Sequence, residues 1–174
     1  MFRNIWVRSL LVVFGSVVIG LTPALGQVTE PVTVDMTFLD PLTITENESL
    51  RFGLLDVNMG NNQKVIVAPD DTVTDTQNNV FGGTQAAADL TVTATASQSI
   101  TILVDNVSSA TGYVLESWMC NYDAAASDSN CDSGGYSETS VASATLLIGA
   151  TLKGNGNAVA GADDSTFDVT VTYQ

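Results

Sequence analysis

The chain has 174 residues with 5 Lys+Arg, 19 Asp+Glu and no histidine, a formal charge of −14. The missing imidazole excludes a Ser-His-Asp triad, a Cys-His pair and a His-ligated zinc site, and a pI near 4.1 argues against nucleic acid as a partner, because phosphate backbones are held by Lys and Arg. Hydrophobic residues at 45% against 14% charged point to a folded chain and away from a disordered one.

The first 26 residues read as a secretory signal peptide. Arg3 and Arg8 supply a basic start, Leu10 to Leu21 an apolar run, and Pro23 a break. Ala24-Leu25-Gly26 then puts small residues at the −3 and −1 positions of a cleavage before Gln27. The run is shorter than the roughly 20 residues of a membrane span, and no second one follows. The expected product is exported through the periplasm of a Gram-negative bacterium, secreted or held at the cell surface, without stable membrane insertion after cleavage. Residues 27–174 form a single domain in which Arg51, Lys64 and Lys153 face all 19 acidic residues.

From there the chain is written mostly with a two-residue period, the mark of half-buried strands. Val32, Val34, Met36 and Phe38 alternate with Thr33, Asp35 and Thr37, so residues 27–38 read as a first edge strand or as a donor strand for another molecule. Strands are expected next at Leu42–Thr45, Leu50–Leu55 and Val65–Val67. A single helical turn is expected at Gln85–Asp89. Further strands follow at Leu90–Thr95, Ile100–Val104 and Tyr113–Met119. On the last of these Val114, Glu116 and Trp118 share a face, making Glu116 either an edge charge or a partner of Arg51 or Lys64. Ala144–Ile148, Thr151–Lys153 and Phe167–Tyr173 complete the set. Thr and Val dominate these runs, as pleated surfaces favour. Asp56–Asn62, Pro69-Asp70-Asp71, Gly82-Gly83, Gly134-Gly135 and Gly154–Asn157 punctuate them as turns. The fold class is all-β: an antiparallel immunoglobulin-like (pilin-like) β-sandwich of about eight to ten strands.

Cys120 and Cys131 form an isolated pair in an exported chain and read as a structural disulfide closing a small polar loop. CxxC spacing is absent and no basic neighbour would activate a thiol. Asp70-Asp71, Asp163-Asp164 and the Asp123, Asp128 and Asp132 set are hard oxygen donors of the kind Ca²⁺ takes, or solvated caps of strands. No EF-hand spacing occurs, and no resident cofactor is expected. Any two acids might converge for glycoside hydrolysis, but no catalytic residue is singled out and an enzyme is not expected. Tyr113, Trp118, Tyr122 and Tyr136 near the loop suit either a sugar-stacking patch or, for Trp118 beside Met119, the core.

In the last strand Phe167, Val169, Val171 and Tyr173 point one way and Asp168, Thr170 and Thr172 the other. With Tyr173 penultimate and Gly161 the fourteenth residue from the end, this pattern resembles the C-terminus of bacterial chaperone-usher fimbrial subunits. The chain is also similar to a family of exported bacterial domains of unknown function. That likeness rests on Leu147-Ile148-Gly149-Ala150-Thr151-Leu152, the terminal Phe-x-Val-x-Val-x-Tyr, and Leu42-Thr43-Ile44 followed by Leu50-Arg51-Phe52-Gly53. The fimbrial resemblance implies assembly by β-strand complementation. A neighbour's Val32, Val34, Met36 and Phe38 would fill a groove left by a missing strand, and self-association would give a fibre. It also implies a periplasmic chaperone holding Gly161 and Phe167–Tyr173, and an outer-membrane usher. The rival function is a monomeric secreted binding module for glycan, calcium or extracellular matrix.

Overall fold

The computed structural model describes residues 30–108, 111–161 and 165–174. The signal peptide read at 1–26 and the Asp163-Asp164 pair lie outside them. Contacts divide the chain into residues 1–36 and 37–174. Of the first unit, residues 30–36 are described and carry no strand or helix. In the second, strands run in the order β1 (Thr43–Glu48), β2 (Arg51–Leu55), β3 (Lys64–Val67), β4 (Val73–Asp75), β5 (Val80–Ala86) and β6 (Ala88–Thr93). They continue with β7 (Ser99–Asp105), β8 (Tyr113–Tyr122), β9 (Ser129–Asn130), β10 (Tyr136–Thr139), β11 (Ser143–Gly154) and β12 (Asp168–Tyr173). No helix occurs among the described residues.

The expected all-β antiparallel sandwich is present, with twelve strands instead of eight to ten. Three of the unexpected ones, β4, β9 and β10, have two to four residues, too few for alternation to be visible. The fourth, β5, contains Gly82-Gly83, read as a turn. These glycines have φ of +146° and +80°, which a side chain would resist, and they sit where the β2–β5 ladder slips register. The helical turn expected at Gln85–Asp89 is instead the junction of β5 and β6. Ala86, Ala87 and Ala88 are buried there, so packing overrides the helical preference of alanine. Ala144–Ile148 and Thr151–Lys153 are one strand, β11.

The 12-residue β11 organises the rest. One edge carries β6 along Ser143–Ile148 and β3 along Ala150–Lys153, and the other carries β8. β1 closes the β6 side and β4 the β3 side. Two smaller sheets complete the architecture: β10-β7-β12 and the ribbon β2-β5. Ile100, Ile102 and Val104 of β7 meet Leu90, Val92, Trp118, Leu146 and Ile148 of the large sheet in the main core. A second cluster, Met59, Val65 and Leu152, packs with Phe52, Leu55 and Val80 from the ribbon and its flanks. At about 1.5–3 kcal/mol for each large side chain buried, these layers supply the main driving force.

Two local devices depart from strict alternation. In β8 the register slips between Met119 and Glu116, so Ser117 and Trp118 together face one residue of β11. Ser117 takes φ of +56°, and the extra residue reverses the facing of everything before it. Glu116 and Val114 therefore do not share a face with Trp118, correcting that expectation: Trp118 is buried and Val114 exposed. The second device is the disulfide Cys120–Cys131, with both residues buried. The Cys131 amide donates to the Trp118 carbonyl and its own carbonyl accepts from the Val104 amide, stitching the large sheet to β7.

Candidate assembly trough

The last strand is fastened on one side only. β12 pairs with β7 from Asp168↔Asp105 to Tyr173↔Ile100 without a register slip, and no strand among the described residues takes its other edge. The Gln174 amide donates to the Ser99 carbonyl at 2.9 Å. Hydrogen-bonded pairs alternate in an antiparallel ladder, so Thr172, Thr170 and Asp168 also turn their main-chain groups towards β7. The N–H and C=O of Val169 and Val171 are therefore directed off the open edge. Their side chains, with Phe167 and Tyr173, pack against the core. The Phe167 ring lies 4.6 Å from that of Trp118, centroid to centroid.

Across from this edge lies β1, the outer strand of the large sheet. Ile44 and Glu46 stand opposite Val92 and Leu90 and so share their core-facing side, yet both remain exposed. Between the two strands runs a trough of about 670 Å³, with Ile44, Glu46 and Leu50 on one wall, Ala88 and Leu90 in its floor, and Ser165 to Thr170 on the other wall. Its apolar floor and unpaired β12 edge are what an extended strand requires. Glu46, whose Oε1 accepts from Ser49 Oγ at 2.6 Å, is a charge on the inner side of an edge strand, a device that discourages indiscriminate pairing.

The candidate donor residues lie in no strand among the described residues. Val32, Val34, Met36 and Phe38 are 84, 71, 72 and 87% exposed, and residues 30–42 contain no strand; residues 27–29 of the candidate donor or first edge strand lie outside the described residues. β1 occupies the edge place on β6. Within the second unit Asp40 is anchored: its amide donates to Thr95 Oγ1 at 2.5 Å. The Tyr173 hydroxyl donates to the Asp40 carbonyl at 3.0 Å and accepts from the Thr95 amide at 2.7 Å. Gly161 lies outside β12, exposed with φ of +148°.

Residues 42–173 match a domain of unknown function (DUF4402). The chain belongs to this family. No curated protein and no solved structure matches it. The DUF4402 domain so delimited begins one residue before β1 and ends on the last residue of β12. Val32–Phe38 precedes it, while both walls of the trough lie inside it.

The remaining candidates are dispersed. Among the described residues no group of three or more His, Cys, Asp or Glu could hold a metal ion. Asp70 caps the Thr72 amide and Asp71 the Ala87 amide, and the hydrogen bonds from Thr72 hold the Asp70 carboxyl below its ordinary pKa. Asp128 accepts from Asn121 and Asp132 from Asn130. The aromatic set does not form a patch: Trp118 and Tyr122 are buried, the buried Tyr136 hydroxyl has no partner, and burial raises the Tyr136 pKa. Glu116 pairs with Lys64 at 2.6 Å, and Arg51 with Glu48. Sequence reasoning missed Glu46 and Leu50 as trough residues, because only the β1–β6 pairing reveals which side of β1 faces the core.

Proposed function

We propose that the chain is an exported cell-surface structural subunit that assembles by β-strand complementation. The observation that carries the reading is the coincidence of an open trough beside the unpaired edge of β12 with an exposed apolar-alternating segment outside the DUF4402 domain. Lengths agree: seven extended residues, Val32 to Phe38, cover roughly 23 Å, and the six of β12 roughly 20 Å. Burying four such side chains contributes about 6–12 kcal/mol at about 1.5–3 each. Association costs of about 4–15 kcal/mol oppose that. Edge hydrogen bonds, at about 0.5–1.5 kcal/mol each, bring the sum to useful affinity. The contact is head-to-tail and need not close, so it propagates as a fibre. The fimbrial resemblance of Phe167–Tyr173 adds a periplasmic chaperone and an outer-membrane usher as the partners that would deliver the subunit.

A synthetic peptide of residues 28–41 added to a variant lacking residues 27–38 tests this without any assembly machinery. At a hundredfold excess over Kd the peptide is expected to stabilise the variant by about 2.7 kcal/mol, a rise of roughly 5–10 °C in Tm at this size. The Val34→Asp peptide is expected to do nothing. Equal effects of both peptides, or of neither, would overturn the reading and leave the monomeric binding module.

A further inference from the structure

The outer face of the large sheet holds two of the three basic residues of positions 27–174. Lys153 and Lys64 stand directly opposite one another on β11 and β3, an arrangement that costs stability because like charges face each other. Glu116, delivered to the same face by the Ser117 bulge, is in direct contact with only one of them and acts on Lys153 from farther off. Its Oε1 accepts from Lys64 Nζ at 2.6 Å, and no carboxylate among the described residues lies within ion-pair reach of Lys153. Lys153 borders an open hollow of about 380 Å³ with Asn61, Asn62, Val114, Glu116 and Asn155. Close packing sets the shape of that rim. A Cβ on Gly154 would come within 2.7 Å of the Gly60 carbonyl, and the Asn155 amide donates to the Gly112 carbonyl at 3.0 Å.

We infer that this hollow binds an acidic saccharide, with the Lys153 ammonium on a sugar carboxylate and the asparagine amides on its hydroxyls. An amide carries two donors and an acceptor, matching neighbouring hydroxyls that both give and take hydrogen bonds. A charge-assisted bond from an ammonium is about twice as strong as a neutral one. Val114, 47% exposed, offers an apolar surface to a ring face. A neutral sugar would leave Lys153 unused. A long polyanion would be repelled by the −14 chain, so the preferred ligand is a short or terminal acidic unit. The inference goes beyond the assembly reading and uses a different surface, so either can fail alone.

Isothermal titration of the full exported chain with tri-galacturonate, and with a neutral trigalactoside as control, tests it. The acidic sugar is expected to bind and the neutral one to bind at least roughly tenfold more weakly. Lys153→Met should lose a similar factor with its Tm unchanged, Lys153→Arg should retain binding, and Asn61→Ala should weaken it roughly threefold. Absence of binding to tri-galacturonate, equal binding of the neutral sugar, or native affinity in Lys153→Met would overturn the inference.

Discussion

Val32–Phe38 and Phe167–Tyr173 carry the same signature, four apolar residues alternating with small polar ones, and meet opposite fates. The second is paired with β7 and packs Phe167, Val169, Val171 and Tyr173 on the core. The first forms no strand among the described residues, and its four apolar side chains are exposed. Alternation specifies a two-faced ribbon but not the surface it will cover. What distinguishes the two is the neighbour: β7 offers β12 a ladder over its whole length, while the place before β6 is already taken by β1.

The sharpest way to break the comparison is to put a charge on the apolar face of each segment. Val171→Asp places a carboxylate against the core beneath β12 and is expected to cost about 3–4 kcal/mol, as an unpaired charge moved out of water does. Val34→Asp should leave stability within about 0.5 kcal/mol of native while abolishing fibres. Urea unfolding and electron microscopy of the two variants check both halves. Equal destabilisation by the two substitutions would erase the distinction.

Next in size is the disulfide. In the chain-entropy treatment, closing an 11-residue separation stabilises by roughly 3 kcal/mol. The Cys120→Ser/Cys131→Ser variant should lose about that in denaturant midpoint measurements. Because Cys131 bridges the Trp118 carbonyl and the Val104 amide, the loss should fall on β7 and the β12 it carries. Hydrogen exchange should then accelerate on those strands first, with β3 and β4 affected least.

The strands that were legible beforehand are those with four or more alternating residues and one wet face, such as β7 with its buried Ile100, Ile102 and Val104. The Cys120–Cys131 pair was legible because only two cysteines exist. Hidden were the features decided by tertiary pairing. The Ser117 bulge sends Trp118 inward and Glu116 outward, and a sequence of alternating letters contains no mark of that extra residue. Gly82-Gly83 looks like any turn until the β2–β5 ladder shows the strand running through it. The apolar side of Phe167–Tyr173 was legible as one face of a strand, though not as a wall of the trough. The β1 wall was not legible, since Ile44 and Glu46 acquire a facing only from Val92 and Leu90 opposite.

A smaller effect separates the anchoring of the two segments. The Tyr173 hydroxyl ties β12 to Thr95 and to Asp40, two residues after the end of Val32–Phe38. Tyr173→Phe leaves both main-chain groups without that partner and should cost about 1–2 kcal/mol. Fibre formation should survive, since the trough and the donor side chains are untouched. A calorimetric scan reads the first effect and electron microscopy the second; loss of fibres in this variant would mean that the anchor itself takes part in assembly.

The smallest expected effect calibrates the others, because it touches neither segment. The Lys64 ammonium hydrogen bond, against an opposing effect of burial and helped by the charges of Lys64 and Lys153, holds the Glu116 carboxyl below its ordinary pKa. A carboxyl lowered on folding adds stability that is complete above its unfolded value, about 4.3, and vanishes as pH falls through the folded value. Both partners are partly exposed, so solvent screening keeps the pair below about 1 kcal/mol. Glu116→Gln should therefore trail the native chain slightly at pH 7 and draw level with it in acid. A deficit that widened on acidification would assign the stabilisation to some contact other than the ion pair. The size found at pH 7 sets the smallest stability difference between Val34→Asp and the native chain that carries meaning.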